Sequence, residues 1–330
     1  MTLTFLFFGN RPDEKWQLAR QMGISEAIVK LAPELTGLPA PDDLDSFRQS
    51  QEIYADNGLK IIGLEGDQFD MSRIKLGLPG RDEDLDRYCR LLENMGQLGI
   101  RLLCYNFMAT GWYRTHKNLP ERGGALVSGF NYEASQQEPV STYGLFSESQ
   151  IWDNYQYFVE RVMPVAEANG VNMALHPDDP PISPVNGIGR ILTSAQAIRR
   201  ALLLSSSPAH GLTFCQGTYT TMQEDVPALI REFGGQQRIF FVHIRDVAGH
   251  PADFRETFHD NGPTDMYRTM NVYYETGLNV PLRSDHVPTM AGESNEHAGY
   301  EMKGNLFGVG YIKGLMEACA AETNLNVNHG

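Results

Sequence analysis

Four side chains suited to binding a transition metal stand at or near the ends of successive short apolar runs: His176, Cys215, His243 and Asp285. Two imidazoles, one thiolate and one carboxylate form a suitable ligand set for a divalent transition metal. Each residue alone also has an ordinary interpretation, because a buried histidine or cysteine often only fills a core. Their recurrence at corresponding positions of four successive runs predicts a metal site.

Eight such runs occur along the chain, each short and nearly continuous in apolar residues, which is typical of parallel strands covered on both faces. Helical patterns separate them, which predicts a single-domain (β/α)₈ barrel over residues 1–330, with an open doubly wound sheet as the alternative. In a barrel the C-terminal ends of the strands converge around one mouth, so the four ligands should face a shared volume. The runs are residues 3–8, 26–30, 60–65, 100–107, 171–176, 211–216, 238–245 and 279–285.

The clearest helices have recognisable boundaries. Residues 82–98 carry an apolar stripe at helical spacing. Residues 147–150 form a capping box that opens a helix ending before Gly170, and residues 193–196 repeat that box before another helix. A C-terminal helix is expected at about residues 306–321. Residues 108–146 are the one long irregular stretch, which we expect to form a loop or lid over the barrel mouth.

Composition excludes several classes of protein. With 42% hydrophobic and 21% charged residues, the chain is globular rather than disordered. Its net charge of −14 argues against nucleic acid or anionic membranes as partners. The chain has no membrane-length apolar run, no signal-peptide pattern and no CxxC pair, so we expect a cytoplasmic protein. A full dinucleotide-binding loop and the Walker, GxSxG and HExxH motifs are absent, which disfavours a nicotinamide enzyme, a kinase and a serine hydrolase.

Motifs at the strand ends resemble those of the mannonate dehydratase family, which consists of metal-dependent lyases with a xylose-isomerase-like barrel. The resemblance covers most of the chain from residue 100 onward, with the motifs in the family's order. It implies Mn²⁺ or Fe²⁺ held at the four ligand positions. The matching pieces are CYNFM (104–108), ALHPDDPP (174–181), CQGT (215–218), VHIR (242–245), DM (265–266), RSDH (283–286) and GY (299–300).

Other segments depart from the family pattern. The second strand is followed by VKLAP (29–33) where the family has an Ala-Leu-His segment. The third ends in LEGDQ (64–68) in place of a Glu-Ser segment, although KLGLP (75–79) matches. Asn305 stands where an arginine is usual. We therefore expect a divergent member that keeps the metal half of the site and has an altered substrate half.

The resemblance implies dehydration of a sugar acid, most simply D-mannonate to 2-keto-3-deoxy-D-gluconate. This reaction needs a base for the proton α to the carboxylate and an acid for the leaving hydroxyl, and a divalent metal can chelate the substrate. We expect His286 and Tyr300 to form the acid/base couple, the alternative for Tyr300 being a surface residue at a helix N-terminus. Candidate substrate-binding residues are Asn106, Arg114, Asp178, Arg245 and His259.

The thiolate of Cys215 narrows the choice of metal, because soft sulfur disfavours Mg²⁺ and Ca²⁺ relative to Mn²⁺, Fe²⁺, Co²⁺ or Zn²⁺. Two other functions remain open at this stage. One is a metal-dependent sugar isomerase or epimerase on the same barrel, and the other is a catalytically silent sugar-binding barrel. A homo-oligomer, either a dimer or a tetramer, is expected in each case.

Overall fold

The computed structural model describes residues 1–328, and side chains as far as residue 322. Most strands are short and buried, as the apolar runs predict. The strands are β1 (Thr2–Leu3), β2 (Phe5–Phe8), β3 (Glu26–Lys30), β4 (Lys60–Glu65), β5 (Leu102–Tyr105), β6 (His116–Pro120), β7 (Leu126–Asn131), β8 (Asn172–Leu175), β9 (His210–Cys215), β10 (Ile239–Ile244), β11 (Val247–His250), β12 (Asp253–Glu256) and β13 (Pro281–Ser284).

The parallel strands close into a barrel. Their order is β1-β13-β10-β9-β8-β5-β4-β3-β2. We call each of the eight barrel strands a stave, and β1 and β2 are the two parts of the first stave, separated by Thr4. Because β1 pairs with β13 while β2 pairs with β3, the first stave joins both sides of the sheet. All eight predicted runs lie on these staves. The barrel prediction is confirmed, and the doubly wound alternative is wrong.

Helices surround the barrel, and their caps follow from the sequence. Ser147 and Gln150 form the predicted reciprocal capping box at the start of α7. The second predicted box is wrong, because Ser194 rather than Thr193 caps α8. The helices are α1 (Glu14–Gln21), α2 (Pro33–Thr36), α3 (Leu44–Asp56), α4 (Ser72–Leu76), α5 (Arg81–Gln97), α6 (Tyr132–Ser135), α7 (Glu148–Ala168), α8 (Ala195–Leu202), α9 (Gln216–Thr221), α10 (Val226–Gly235), α11 (Met266–Glu275) and α12 (Met302–Asn328).

Two insertions combine into a second, antiparallel sheet in the order β11-β12-β7-β6. Strands β6 and β7 lie within residues 108–146, and β11 and β12 follow the barrel strand β10. The expectation of an irregular stretch at 108–146 is therefore wrong: its backbone pairs with a segment more than a hundred residues away, which local patterns do not reveal. The C-terminal helix is also longer than predicted.

The core has two parts. Outward-facing strand residues pack against the helices, and a smaller apolar cluster fills the barrel interior. That interior cluster includes Ala174 and Phe241, each two residues before a predicted ligand. Side chains alternate across a strand, so residues two apart share a face. None of the helices in the described part of the chain has the length and apolar character needed to cross a membrane.

Candidate metal centre

The structure brings the four predicted ligands together at the barrel mouth. His176 directly follows β8, Cys215 ends β9, His243 lies near the end of β10, and Asp285 directly follows β13. Each offers one ligand atom, and these atoms all lie within 4.8 Å of one another. Four different staves thus deliver two nitrogens, one sulfur and one carboxylate oxygen to one small volume.

Each of the two histidines has a nitrogen that is available to bind a metal. The Nδ1–H of His176 donates to the carbonyl of Pro177 at 2.7 Å, which leaves Nε2 as a lone-pair donor. Neither nitrogen of the buried His243 has a hydrogen-bond partner in the described chain. Its Nδ1 lies 3.8 Å from Oδ2 of Asp285, and its Nε2 lies 3.4 Å from Oε2 of Glu65. Buried polar atoms without partners are unusual, and a metal ion beside Asp285 would satisfy Nδ1, the nitrogen of His243 that faces the ligand cluster.

Electrostatics make this cluster attractive to a cation. Burial opposes ionisation of Cys215, but Arg245 and His176 hold the pKa of its thiol well below the usual range, so the sulfur is a thiolate. Burial likewise opposes ionisation of Asp285, but His286 and Arg283 keep its pKa well below the usual value. Cys215 and Asp285 thus bring two negative charges to the ligand cluster. The residues present therefore fit a divalent metal.

Two buried arginines hold the carboxylates of the site in place. Arg283 donates to both oxygens of Glu65, at 3.0 and 2.6 Å, and lies 2.9 Å from Oδ1 of Asp285. Arg245 donates to Glu256 and to Asp179 at 2.7–2.9 Å. Guanidinium groups with several charge-assisted bonds fix both position and orientation. The ligand cluster therefore has a rigid support.

A second cluster of potential ligands has a different role. Asp179, Glu256 and His286 also bring their polar atoms close together. Here, however, Arg114 pairs with both carboxylates at 2.6–2.8 Å, and Arg245 pairs with them as well. Two guanidinium charges already balance two carboxylates, so this cluster is an ion-pair network and does not call for a cation.

A cavity of about 110 Å³ opens beside the ligand cluster. His176, His243 and Asp285 form part of its wall, together with aromatic and amide side chains that can contact a small polar molecule. The lining residues are Glu65, Gly66, Cys104, Tyr105, Asn106, Met108, Trp112, His176, Asp179, His243, Arg283, Asp285, His286 and Tyr300.

His286 and Tyr300 contact each other in the wall of this cavity. The hydroxyl of Tyr300 lies 3.0 Å from Nε2 of His286, and the ring of Trp112 packs 4.7 Å from the imidazole. Tyr300 is half-buried, packs edge-on against Phe8 and lies two residues before α12 begins. Burial and the nearby Asp285 raise the pKa of Tyr300 above its usual value, which keeps the phenol protonated.

Comparisons with known proteins decide the family. The chain matches the family model described as D-mannonate dehydratase (UxuA) over residues 1–139 and 131–326. Mannonate dehydratase 2 of Halalkalibacterium halodurans is 31% identical over 353 residues, which cover 97% of this chain and 100% of that protein. The chain belongs to the mannonate dehydratase family. Members of this family are hydro-lyases that depend on a divalent metal, so the predicted enzyme class is confirmed.

Solved structures place the fold in the same family. The crystal structure of mannonate dehydratase from Streptococcus suis serotype 2 has a TM-score of 0.89 and 28% identity, covering 98% of this chain and 96% of that one. D-psicose 3-epimerase from Clostridium cellulolyticum H10 has a TM-score of 0.58 and 12% identity, covering 98% and 99% of the two chains. At that identity the epimerase shows only the shared barrel, so the isomerase or epimerase alternative rests on fold alone.

Of the predicted substrate-binding residues, only Asn106 lines the cavity of this mannonate dehydratase family member. Asp178 is buried and accepts from the backbone amides of Ile191 and Leu192, both at 2.8 Å. His259 is buried, with Nε2 2.9 Å from the carbonyl of Ile244. These bonds tie both side chains to the backbone, and the prediction that Asp178 and His259 contact substrate stays a prediction.

Arg114 and Arg245 are also absent from the cavity wall. Their guanidinium groups are fully buried and bind Asp179 and Glu256. Direct contact of either arginine with substrate stays a prediction, and in this structure their bonds go to those two carboxylates.

Sequence reasoning did not select two carboxylates that contact the candidate site residues of this family member. Glu65 contacts both His243 and Arg283, and its position at the end of the run 60–65 was a usable signal, since strand ends form the mouth. Glu256 contacts His286 at 3.2 Å but lies on β12 of the inserted sheet. No barrel pattern marks that strand, so the sequence carried no signal for Glu256.

Proposed function

We propose that this chain dehydrates D-mannonate to 2-keto-3-deoxy-D-gluconate, with His286 and Tyr300 as the acid/base couple. The observation that carries the proposal is their 3.0 Å contact, which lies in the wall of the same cavity as three of the metal-binding side chains. A proton-carrying pair beside a cation site is the arrangement that removal of an α-proton and a neighbouring hydroxyl requires.

His176, Cys215, His243 and Asp285 would hold the metal, and we propose Mn²⁺ or Fe²⁺. The thiolate of Cys215 supports a transition metal over Mg²⁺ or Ca²⁺, because hard cations prefer oxygen ligands. When bound, the metal supplies a Lewis acid that polarises the substrate carboxylate and its neighbouring hydroxyl and so makes the α-proton easier to remove.

The residues of the chain handle the protons and the orientation of the substrate. The His286–Tyr300 couple takes the α-proton and returns a proton to the departing hydroxyl, which leaves as water, and the resulting enol becomes the keto acid. The amide of Asn106 lines the cavity and is held by Lys75, whose Nζ lies 3.0 Å from its Oδ1. Trp112 covers His286 and supplies an aromatic face on which the carbon chain of a sugar acid can pack.

The test is a panel of aldonic acids and ketoses given to protein purified without oxygen, analysed for metal and reloaded with Mn²⁺ or Fe²⁺. A dehydratase releases water and forms a 2-keto-3-deoxy acid from D-mannonate. Conversion without loss of mass indicates an isomerase, and tight binding without turnover under every metal indicates a silent sugar-binding barrel. Either result contradicts the proposal. A dimer or tetramer in solution and a cytoplasmic location remain predictions, which mass measurement and cell fractionation would check.

A further inference from the structure

His286 receives support from outside the barrel staves. Its Nδ1 lies 3.2 Å from Oε1 of Glu256, while its Nε2 lies 3.0 Å from the hydroxyl of Tyr300. Glu256 is the last residue of β12, a strand of the inserted antiparallel sheet. The imidazole is thus held between a carboxylate on one side and a phenol on the other.

Glu256 is fixed and ionised. Its Oε1 accepts from Arg114 at 2.6 Å and from Arg245 at 2.9 Å, and its Oε2 accepts from Arg245 at 2.8 Å. Burial alone would raise the pKa of Glu256, but Arg245 and Arg114 lower it to about 2. A carboxylate in this state has no proton to donate and can only accept hydrogen bonds.

The direction of both hydrogen bonds to His286 follows from this. Since Glu256 can only accept, Nδ1 of His286 must carry a hydrogen. In the state in which His286 can take a proton, the imidazole is neutral, so its other nitrogen, Nε2, has a lone pair and accepts from the hydroxyl of Tyr300. A change of tautomer would put two acceptors opposite each other at the Glu256 contact and two hydrogens opposite each other at the Tyr300 contact.

We propose that Glu256 is a positioning residue, which holds the ring of His286 as the Nδ1–H tautomer and presents its Nε2 to Tyr300. This inference deepens the proposed function and rests on it. It also gives the inserted sheet a role at the site: β12 pairs with β7 and β11 and so delivers a carboxylate that no barrel strand supplies.

The kinetic test compares two variants of the metal-loaded enzyme. Glu256→Asp keeps a negative charge near Arg114 and Arg245, but the shorter side chain moves the carboxylate away from the ring of His286. Glu256→Ala removes the carboxylate. We expect kcat to fall about 10–100-fold in Glu256→Asp, as for other residues that orient a functional histidine. We expect KM to stay within about threefold, because Glu256 does not line the cavity. Asp253→Asn, an exposed residue on the same strand, is the matched control and should keep both constants.

A spectroscopic test reads the tautomer directly. In ¹⁵N-histidine-labelled protein loaded with diamagnetic Zn²⁺, the ring nitrogens of His286 should report Nδ1–H in the parent and lose that single tautomer in Glu256→Asp. Asp179→Asn removes a charge from the same arginine pair without a hydrogen bond to His286, so it should leave the tautomer unchanged. It controls for disturbance of the arginines.

The outcomes separate the two proposals. A kcat for Glu256→Asp within about twofold of the parent overturns the positioning role, and so does an Nδ1–H signal that survives the substitution. If the parent enzyme lacks dehydratase activity, the proposed function fails, while the NMR comparison still decides what Glu256 does to the ring. If Glu256→Ala does not fold, Glu256→Asp carries the test alone.

Discussion

The carboxylate of Glu65 lies 3.4 Å from Nε2 of His243, while the Nδ1 of the same ring lies 3.8 Å from Asp285. Glu65 and Asp285 thus contact opposite nitrogens of one imidazole. A carboxylate beside the nitrogen of a histidine that does not bind the metal orients the ring and makes it a better ligand. Glu65 is itself held by two bonds from Arg283, so the arrangement is rigid.

Glu65→Gln should weaken divalent-metal binding by about 10–100-fold, because the amide neither orients His243 as firmly nor increases its basicity. Competition with a chelator of known affinity measures this. Glu232→Gln, which disturbs only the surface pair with Arg199, should leave metal affinity unchanged. Equal affinities in the parent and Glu65→Gln would show that Glu65 does not support the ligand.

Cys215→Ser should lower metal content and dehydratase activity together. A hydroxyl is a far poorer ligand than a thiolate for Mn²⁺ or Fe²⁺ at neutral pH, because it stays protonated. Elemental analysis of the purified protein and turnover after metal reloading give the two readings. Cys89→Ser, a half-buried position on α5, serves as the control. Full activity with unchanged metal occupancy would falsify the assignment of Cys215 as a ligand.

Gly217→Ala should destabilise the protein by about 1–3 kcal/mol, the usual range for overpacking. A Cβ at Gly217 would lie 2.7 Å from Cγ of Arg245, which cannot yield because Glu256 and Asp179 hold its guanidinium. Gly235→Ala, at the end of α10, meets no atom within 4 Å.

Gly235→Ala should therefore be neutral or stabilising by up to about 1 kcal/mol, because alanine lowers the backbone entropy of the unfolded chain. Denaturant unfolding of the two variants measures both effects under the same conditions. Similar unfolding midpoints for Gly217→Ala and Gly235→Ala would contradict the claim that Arg245 is immobile.

Stability should fall as the pH drops below 6.5, and His210 should contribute to that fall. Burial and the nearby Arg238 lower the pKa of His210 from 6.5 to about 4. The unfolded chain therefore binds a proton in this window before the folded chain does. The contribution of His210 to the free energy of unfolding is complete above pH 6.5 and is lost as the pH falls toward 4.

Between about pH 7 and pH 5 this one group accounts for about 2 kcal/mol of the free energy of unfolding. His210→Gln should reduce the difference between unfolding free energies measured at these two pH values. His250→Gln, at an exposed position, should not. If the unfolding free energies at the two pH values differ by as much in His210→Gln as in the parent, the pKa of His210 is not lowered by the fold.

Much of the barrel could be predicted from local patterns. The runs 26–30 and 60–65 coincide with β3 and β4, and Ser147 caps α7 as expected. These features are local, since the apolar runs and caps act within a few residues. The inserted sheet could not be predicted in the same way, because β7 and β12 pair across more than a hundred residues of chain. Their short alternating segments look like loop until the partner strand is known.

The sequence by itself determined which residue types end each stave, and barrel geometry then requires His176, Cys215, His243 and Asp285 to meet at one mouth. Only the tertiary structure decided what surrounds them. Arg114, chosen as a contact for substrate, is instead buried against Asp179 and Glu256, and Glu256 reaches His286 from outside the barrel. Charged side chains are long, and the free energy of burying them depends on partners brought from distant segments. Their roles are therefore fixed by the packed fold rather than by local sequence.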